Sequence, residues 1–341
     1  MFFLILTSSV MPVLGLGVQV TIPSSGTIRT MLFDGWLAYW AQTTGFNIFQ
    51  ANVDVFRELC LYWYQFTGGP APERFPGAAD ESAIISYAKG EGVKVYATIR
   101  GYAEPSVSPT LADPVLRAAH IAALVNLAVT MGYDGIDIDY EGLKAADRDN
   151  FSTFMDELSV ALHAENKLLS VCVAAKTSEP GTWDLPKAQD WTRLGQICDR
   201  VRIMCYDYHW STSKPGPLAP ITWVDSVIKF AVTVIPREKV VMGVPFYGYD
   251  WIAGGAGTGV TWVTSMATAS KYGATIQWDD TSKAPWFTYV DGGVRHEVWF
   301  ENAKSLEPKL AVAKKYSIGG ICAWRLGNED PENWNVIRNQ V

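Results

Sequence analysis

The chain has 341 residues, of which 48% are hydrophobic and 18% charged, with a formal net charge of -7. That composition supports a large core, and α/β barrels of about 250 residues commonly form one domain. Lys and Arg are scattered without a basic run, which argues against a nucleic-acid partner, and past the first residues no stretch reaches the ~20 apolar residues of a membrane span.

Residues 1–20 are apolar and end in the small residues Gly15 and Gly17. They read as a secretory leader and predict an exported or cell-envelope protein. The usual basic n-region is missing, the first Lys or Arg being Arg29. The folded domain is expected over residues 29–341. Eight apolar, β-branched or aromatic runs follow, at 32–38, 59–64, 93–99, 133–139, 168–174, 201–206, 240–246 and 318–324. Such runs suit strands covered by helices.

Helical patterns lie between them. Asp113-Pro114 is an N-cap followed by proline at the first helical position, opening a helix to Met131. Phe151, Phe154, Leu158 and Leu162 form one apolar helical face. Thr222 is expected to cap a helix that stops at Pro236, and residues 301–316 make another amphipathic stretch. Strands alternating with helices predict a parallel (β/α)8 barrel. Roughly seventy residues separate the seventh and eighth runs, which is long for one connection. Residues 248–300, with the glycine-rich stretch 253–259 and three aromatic segments, predict a small α+β insertion there. The glycine-rich stretch lacks the Lys of a phosphate loop and does not lead from a strand into a helix.

The five cysteines, Cys60, Cys172, Cys198, Cys205 and Cys322, have no CxxC spacing. They predict buried thiols rather than a disulfide framework or zinc site. Aromatic residues reach 13%. Most of them belong to the core, but ring faces also stack on sugars.

The chemistry concentrates in Tyr133-Asp134-Gly135-Ile136-Asp137-Ile138-Asp139-Tyr140-Glu141. Side chains alternate along a strand, so Asp137, Asp139 and Glu141 share one face and Ile136, Ile138 and Tyr140 the other. The apolar set should meet the helices. The acids should point into the barrel and climb toward its C-terminal mouth, where barrel enzymes keep their active sites. Three buried carboxyls are costly unless they share protons or partners. Three acids on one strand do not make a full oxygen cage for Ca²⁺ or Mg²⁺, so no metal and no cofactor is expected. Crowded carboxyls push one pKa upward. The outermost, Glu141, is the expected general acid for a glycosidic oxygen.

The segment Asp134-Gly135-Ile136-Asp137-Ile138-Asp139-Tyr140-Glu141 resembles the DxxDxDxE signature of family 18 glycoside hydrolases, the chitinase and chitobiase group. Three further strings resemble the family's strand-end motifs: Met204-Cys205-Tyr206-Asp207, Gly243 to Gly248, and Gly319 to Trp324. The resemblance spans about residues 31–338. It implies a retaining hydrolase that cleaves β-1,4 bonds beside N-acetylglucosamine, with the substrate's 2-acetamido oxygen as nucleophile. It assigns proton donation to Glu141, orientation of the acetamido group to Asp139, with Asp137 sharing its proton, and holding of that group to Tyr206, with Asp207 beside it. Trp324 would floor the sugar, with Met204 and Tyr247 also contacting substrate. Tyr208, His209 and Trp210 form a loop at the mouth, where Trp210 would shape an acceptor subsite.

The third strand departs from the family, ending Thr98-Ile99-Arg100-Gly101 where chitinases end S-x-G-G. Four stretches, 219–221, 233–236, 247–251 and 296–301, resemble the spore-germination and cortex-lytic glucosaminidases of the same family. This branch implies peptidoglycan fragments as substrate. Chitin oligosaccharides are the alternative, because the acid motif and Tyr206-Asp207 are chitinase-like. A non-catalytic glycan-binding lectin is the reading from another class, and it is disfavoured by the acid at Glu141. A monomer acting on an oligosaccharide or polysaccharide is expected.

Overall fold

The computed structural model describes residues 31–102 and 105–340. The expected leader at 1–20 lies outside the described residues. Eight strands, Leu32–Ala38, Glu58–Gln65, Lys94–Gly101, Gly135–Tyr140, Leu168–Ala174, Arg200–Met204, Val240–Pro245 and Gly320–Trp324, are counted below as the first to eighth barrel strands. Each pairs in parallel with its neighbours, and the first pairs with both the second and the eighth, so the sheet closes into a barrel. Helices cover the outside, among them Pro114–Thr130, Arg148–Ala164, Ile221–Val234 and Ala303–Tyr316. The fold is a (β/α)8 barrel, as the alternation of runs predicted.

Local chemistry explains the boundaries. Asp113 caps Pro114–Thr130 by accepting from the N–H groups of Val115 at 2.8 Å and Leu116 at 3.1 Å. Such a cap contributes about 1 kcal/mol. Thr222 does not cap the next predicted helix. Ile221–Val234 starts after Pro220 with no side-chain cap, and Thr222 lies inside its first turn. The fixed φ of proline places the chain at the helix entrance without a side-chain acceptor. The sixth strand stops at Met204, two residues short of the predicted end, because the chain turns there. Cys205 N–H bonds the Ile203 carbonyl at 2.8 Å, and Asp207 takes a positive φ of 56°.

The alternation of the fourth strand sorts its side chains as the sequence requires. Ile136, Ile138 and Tyr140 are buried toward the helices, where Tyr140 stacks on Phe154 with ring centroids 5.9 Å apart. Fully burying one such aromatic contributes about 1.5–3 kcal/mol. His120 bonds the Tyr140 hydroxyl at 2.6 Å, which fixes the back of the strand that carries the acids.

Between the seventh strand and helix Ala303–Tyr316, residues 248–299 form a five-stranded antiparallel sheet with helix Trp262–Tyr272. Ala269, Phe287, Val298 and Phe300 form its small core. Gly248 is where this sheet leaves the barrel, and a Cβ there would collide with the backbone of Trp299 and Phe300. The sheet stands at the C-terminal side of the seventh strand and so forms one wall of the mouth.

Candidate active site

The interior of the barrel is charged at its base. Arg202, on the sixth strand, is fully buried. It bonds Asp34 at 2.8 Å, Glu58 at 2.8 Å and Asp137 at 3.4 Å, and also touches Ser170. Asp34 and Glu58 come from the first and second strands. One guanidinium thus ties the sixth strand to the first, second, fourth and fifth and compensates carboxylates that could not be buried alone. Asp137 also accepts from Ser170 Oγ at 2.6 Å, Thr98 Oγ1 at 2.9 Å and Trp36 Nε1 at 3.1 Å. It is a saturated acceptor, held in one orientation. Asp34 is different. Burial pushes its pKa up to about 7 against the pull of Arg202, and among the described residues its Oδ1 has no hydrogen-bond partner.

One step toward the mouth, Asp139 is buried and its Oδ1 has no partner among the described residues. Burial, followed by the charges of Glu141 and Asp137, holds its pKa well above the carboxylate range. Glu141 is the outermost of the three and is half-buried. Burial, then the charge of Asp207, raises it to about 7, with Arg100 acting in the opposite sense. A carboxyl with that pKa is protonated in about half the molecules at neutral pH, as a general acid requires. The deep Asp is bonded and fixed, the middle one has a raised pKa and an unpaired oxygen, and the outer one titrates near neutral pH.

Asp139 and Glu141 line a cavity of about 150 Å³, together with Trp36, Tyr62, Tyr102, Cys172, Met204, Tyr206, Asp207 and Trp324. Trp324 is gripped edge-on by Trp36 at 5.9 Å and Tyr62 at 4.9 Å between ring centroids. Asp207 projects from the turn after the sixth strand, and its Oδ1 accepts from the Tyr247 hydroxyl and from Tyr249 at 3.4 Å. Tyr206 stands edge-on to Tyr247 with centroids 6.2 Å apart. A pyranose fits a pocket with an aromatic floor, polar walls and an acid at the rim. Among the described residues no group of three His, Cys, Asp or Glu is placed to hold a metal ion.

The structure brings Glu141, Asp139, Tyr206, Asp207, Met204 and Trp324 around one cavity. Asp137 lies beneath it and touches only the protein. Tyr247 reaches it through Asp207. Trp210 does not line it: its Nε1 donates to Thr212 at 2.8 Å within its own exposed loop. That loop is tied to the antiparallel sheet by Gly257 N–H to the Ser211 carbonyl at 2.6 Å, so it forms an outer rim. Sequence reasoning missed Trp36, Tyr62, Tyr102 and the Arg202 cluster. Trp36, Tyr62 and Arg202 occupy inward positions on the first, second and sixth strands, so alternation counted from each strand end would have marked them. Tyr102, beyond the third strand, had no such signal.

The chain matches the family described as Glycosyl hydrolases family 18 over residues 78–329. It is 35% identical to the cortical fragment-lytic enzyme of Bacillus subtilis strain 168 over 238 residues, 67% of this chain and 55% of that one. The match therefore spans about half of that relative's length. Among solved structures, the spore cortex-lytic enzyme SleL of Bacillus cereus superposes with a TM-score of 0.81 at 27% identity, covering 91% of this chain and 74% of that one. A chitinase from Chromobacterium violaceum gives 0.82 at 27% identity, covering 91% and 98%. Among the described residues no helix is long and apolar enough to cross a membrane. The chain belongs to glycosyl hydrolase family 18 and is a glycoside hydrolase of the branch that includes cortex-lytic and chitinase-like enzymes.

Proposed function

We propose that the enzyme hydrolyses β-1,4 bonds in bacterial wall glycan or its fragments, on the reducing side of N-acetylglucosamine, with retention and with the substrate's acetamido group as nucleophile. The observation that carries this reading is the buried Asp139, unpaired at Oδ1 and lining the cavity beside Glu141. Most retaining glycosidases place a second carboxylate under the anomeric carbon as nucleophile. Here burial and the neighbouring acids disfavour the charged form of the second carboxyl, so it suits a hydrogen bond rather than attack.

In the first step Glu141 gives its proton to the leaving oxygen. The bond from C1 to that oxygen breaks as the acetamido carbonyl oxygen bonds C1, forming an oxazolinium-type ring. Asp139 accepts the acetamido N–H and orients the group, and the Glu141 carboxylate left by proton transfer balances the positive charge as it develops. Tyr206 donates its hydroxyl to the acetamido oxygen and steers it. In the second step the Glu141 carboxylate takes a proton from water, whose oxygen bonds C1 and opens the ring. The sugar is released with its original configuration, and Glu141 is again protonated. Asp137, bonded by Arg202, Ser170, Thr98 and Trp36, is held in one orientation below Asp139. The reading places the enzyme at the cell envelope or outside the cell, where such glycans occur.

The wall substrate is favoured by the cortex-lytic relatives and by an open mouth, with Trp210 outside the cavity. Chitin is the second reading, supported by the similarity to a chitinase along nearly that chain's whole length. Wall tetrasaccharide, its de-N-acetylated form and chitotetraose should be compared by kcat/KM, with the anomer of the first product read by NMR. The expected result is a β-anomer, no turnover after deacetylation, and preference for the wall substrate. Equal turnover of acetylated and deacetylated sugars refutes substrate assistance. A tenfold preference for chitotetraose refutes the wall assignment.

A further inference from the structure

A second cavity of about 240 Å³ adjoins the catalytic one across Trp324 and includes Tyr247, Tyr249, Thr261 and Arg325. The antiparallel sheet provides its outer wall through Tyr249 and residues 259–261. It lies beside the aromatic floor, about where a neighbouring sugar ring would sit. Its distinctive group is Arg325. The guanidinium is half-buried beside Trp40, 5.6 Å from the ring centroid. Among the described residues its one hydrogen bond is from Nη1 to the Leu326 carbonyl at 3.3 Å. Among the described residues no carboxylate lies within 4.0 Å of it, whereas Arg202, Arg148 and Arg338 each have one. Glu329, the acid nearest in influence, accepts at Oε2 from the Gly327 N–H at 2.7 Å, and burial raises its pKa, so it is a weak counter-ion.

An arginine with five donors, nearly all free, that faces a cavity is a carboxylate receptor. We propose that Arg325 and this cavity bind an anionic sugar arm, the lactyl carboxylate of a muramoyl residue next to the sugar seated on Trp324. The inference rests on the wall-glycan reading and deepens it, because chitin carries no such charge. Tyr249 and Thr261 supply hydroxyls for the same sugar's ring. The trade-off is physical: a half-buried unpaired cation destabilises the free enzyme, and the cost is recovered when the acid binds. Specificity for a charged group arises in this way, since a substrate that lacks it leaves the cation unpaired.

The test compares a peptide-free wall tetrasaccharide with its lactyl methyl ester, which has the same shape but no charge. Wild-type enzyme should favour the acid by about tenfold or more in kcat/KM, the size of one charge-assisted hydrogen bond. In Arg325→Gln that ratio should fall to near one, and Arg325→Lys should restore part of it. The ratio divides out any general loss caused by disturbing Trp324, and circular dichroism checks the fold. A wild-type ratio near one, or a ratio that Arg325→Gln leaves intact, overturns the inference while the wall reading stands. Cleavage of chitotetraose with neither wall substrate turned over overturns both.

Discussion

If Glu141 must donate a proton as the glycosidic bond breaks, the alkaline limb of the kcat/KM profile reports its pKa in the free enzyme. That pKa is pushed from 4.5 to about 7, first by burial and then by the charge of Asp207, while Arg100 lowers it. Asp207→Asn removes a neighbouring negative charge but keeps the oxygen that accepts from Tyr247 and Tyr249. The charged form of Glu141 then becomes easier to reach, its pKa falls, and the limb moves to lower pH. Two carboxylates on the rim of a cavity of about 150 Å³ interact through a partly wet medium. A coupling near 1.4 kcal/mol is modest for such a pair, and it moves the limb by about one pH. Arg100→Met should move it the other way, because a favourable charge is lost. The position of the limb is independent of the height of the plateau, so a loss of substrate contacts does not disguise the shift. Initial rates on a fluorogenic N-acetylglucosamine oligomer, from pH 4 to pH 9 at constant ionic strength, measure both limbs. A limb that stays in place in both variants, or moves in the same direction in both, refutes the assignment of Glu141 as the proton donor.

Glu141→Gln should fold and bind oligosaccharide but lose at least ~10²–10⁴ in kcat, the usual contribution of general acid catalysis. Tight binding by calorimetry with no product by mass spectrometry is the expected pair of results. Arg202→Met should destabilise the barrel by about 3–5 kcal/mol, since Asp34, Glu58 and Asp137 lose their shared partner while staying buried. Urea unfolding measures it, and a loss below about 1 kcal/mol would mean that the cluster is solvated or protonated.

The sequence carried the barrel because its strands are covered on both sides. All eight runs predicted from apolar continuity lie within two residues of the observed strand at both ends, and two of them, 32–38 and 168–174, match in full. The misses follow from local turns. The end of the sixth strand was read two residues late because Cys205 and Tyr206 are apolar and aromatic, and nothing in them shows that Asp207 takes a left-handed backbone conformation. Thr222 was read as a cap because threonine suits that position, but Pro220 already fixes the entry of the chain. Both errors concern backbone geometry that depends on one residue, while the pattern that makes a strand is shared over six or seven.

The acid row of the site was legible for the same reason: Asp137, Asp139 and Glu141 lie on one strand, and a period of two fixes their common face. Their differences were not legible. Each is an acidic side chain separated by one residue, and sequence alone ranks them only by distance from the mouth. What divides them is contributed by other strands: Trp36 from the first, Thr98 from the third, Ser170 from the fifth and Arg202 from the sixth all bond Asp137. These positions are scattered over more than 160 residues of sequence. No short motif contains them, so a reading built on motifs finds the reactive groups and misses the groups that assign their states. Arg202 is the clearest case. In sequence it is one of four arginines in a short stretch with Arg193, Arg200 and Arg237, yet the barrel closes around it alone and uses its charge to pair with Asp137 beneath the more weakly held Asp139. The motif therefore names the acids, while the closure of the barrel decides which of them is bonded and which is left with a free oxygen.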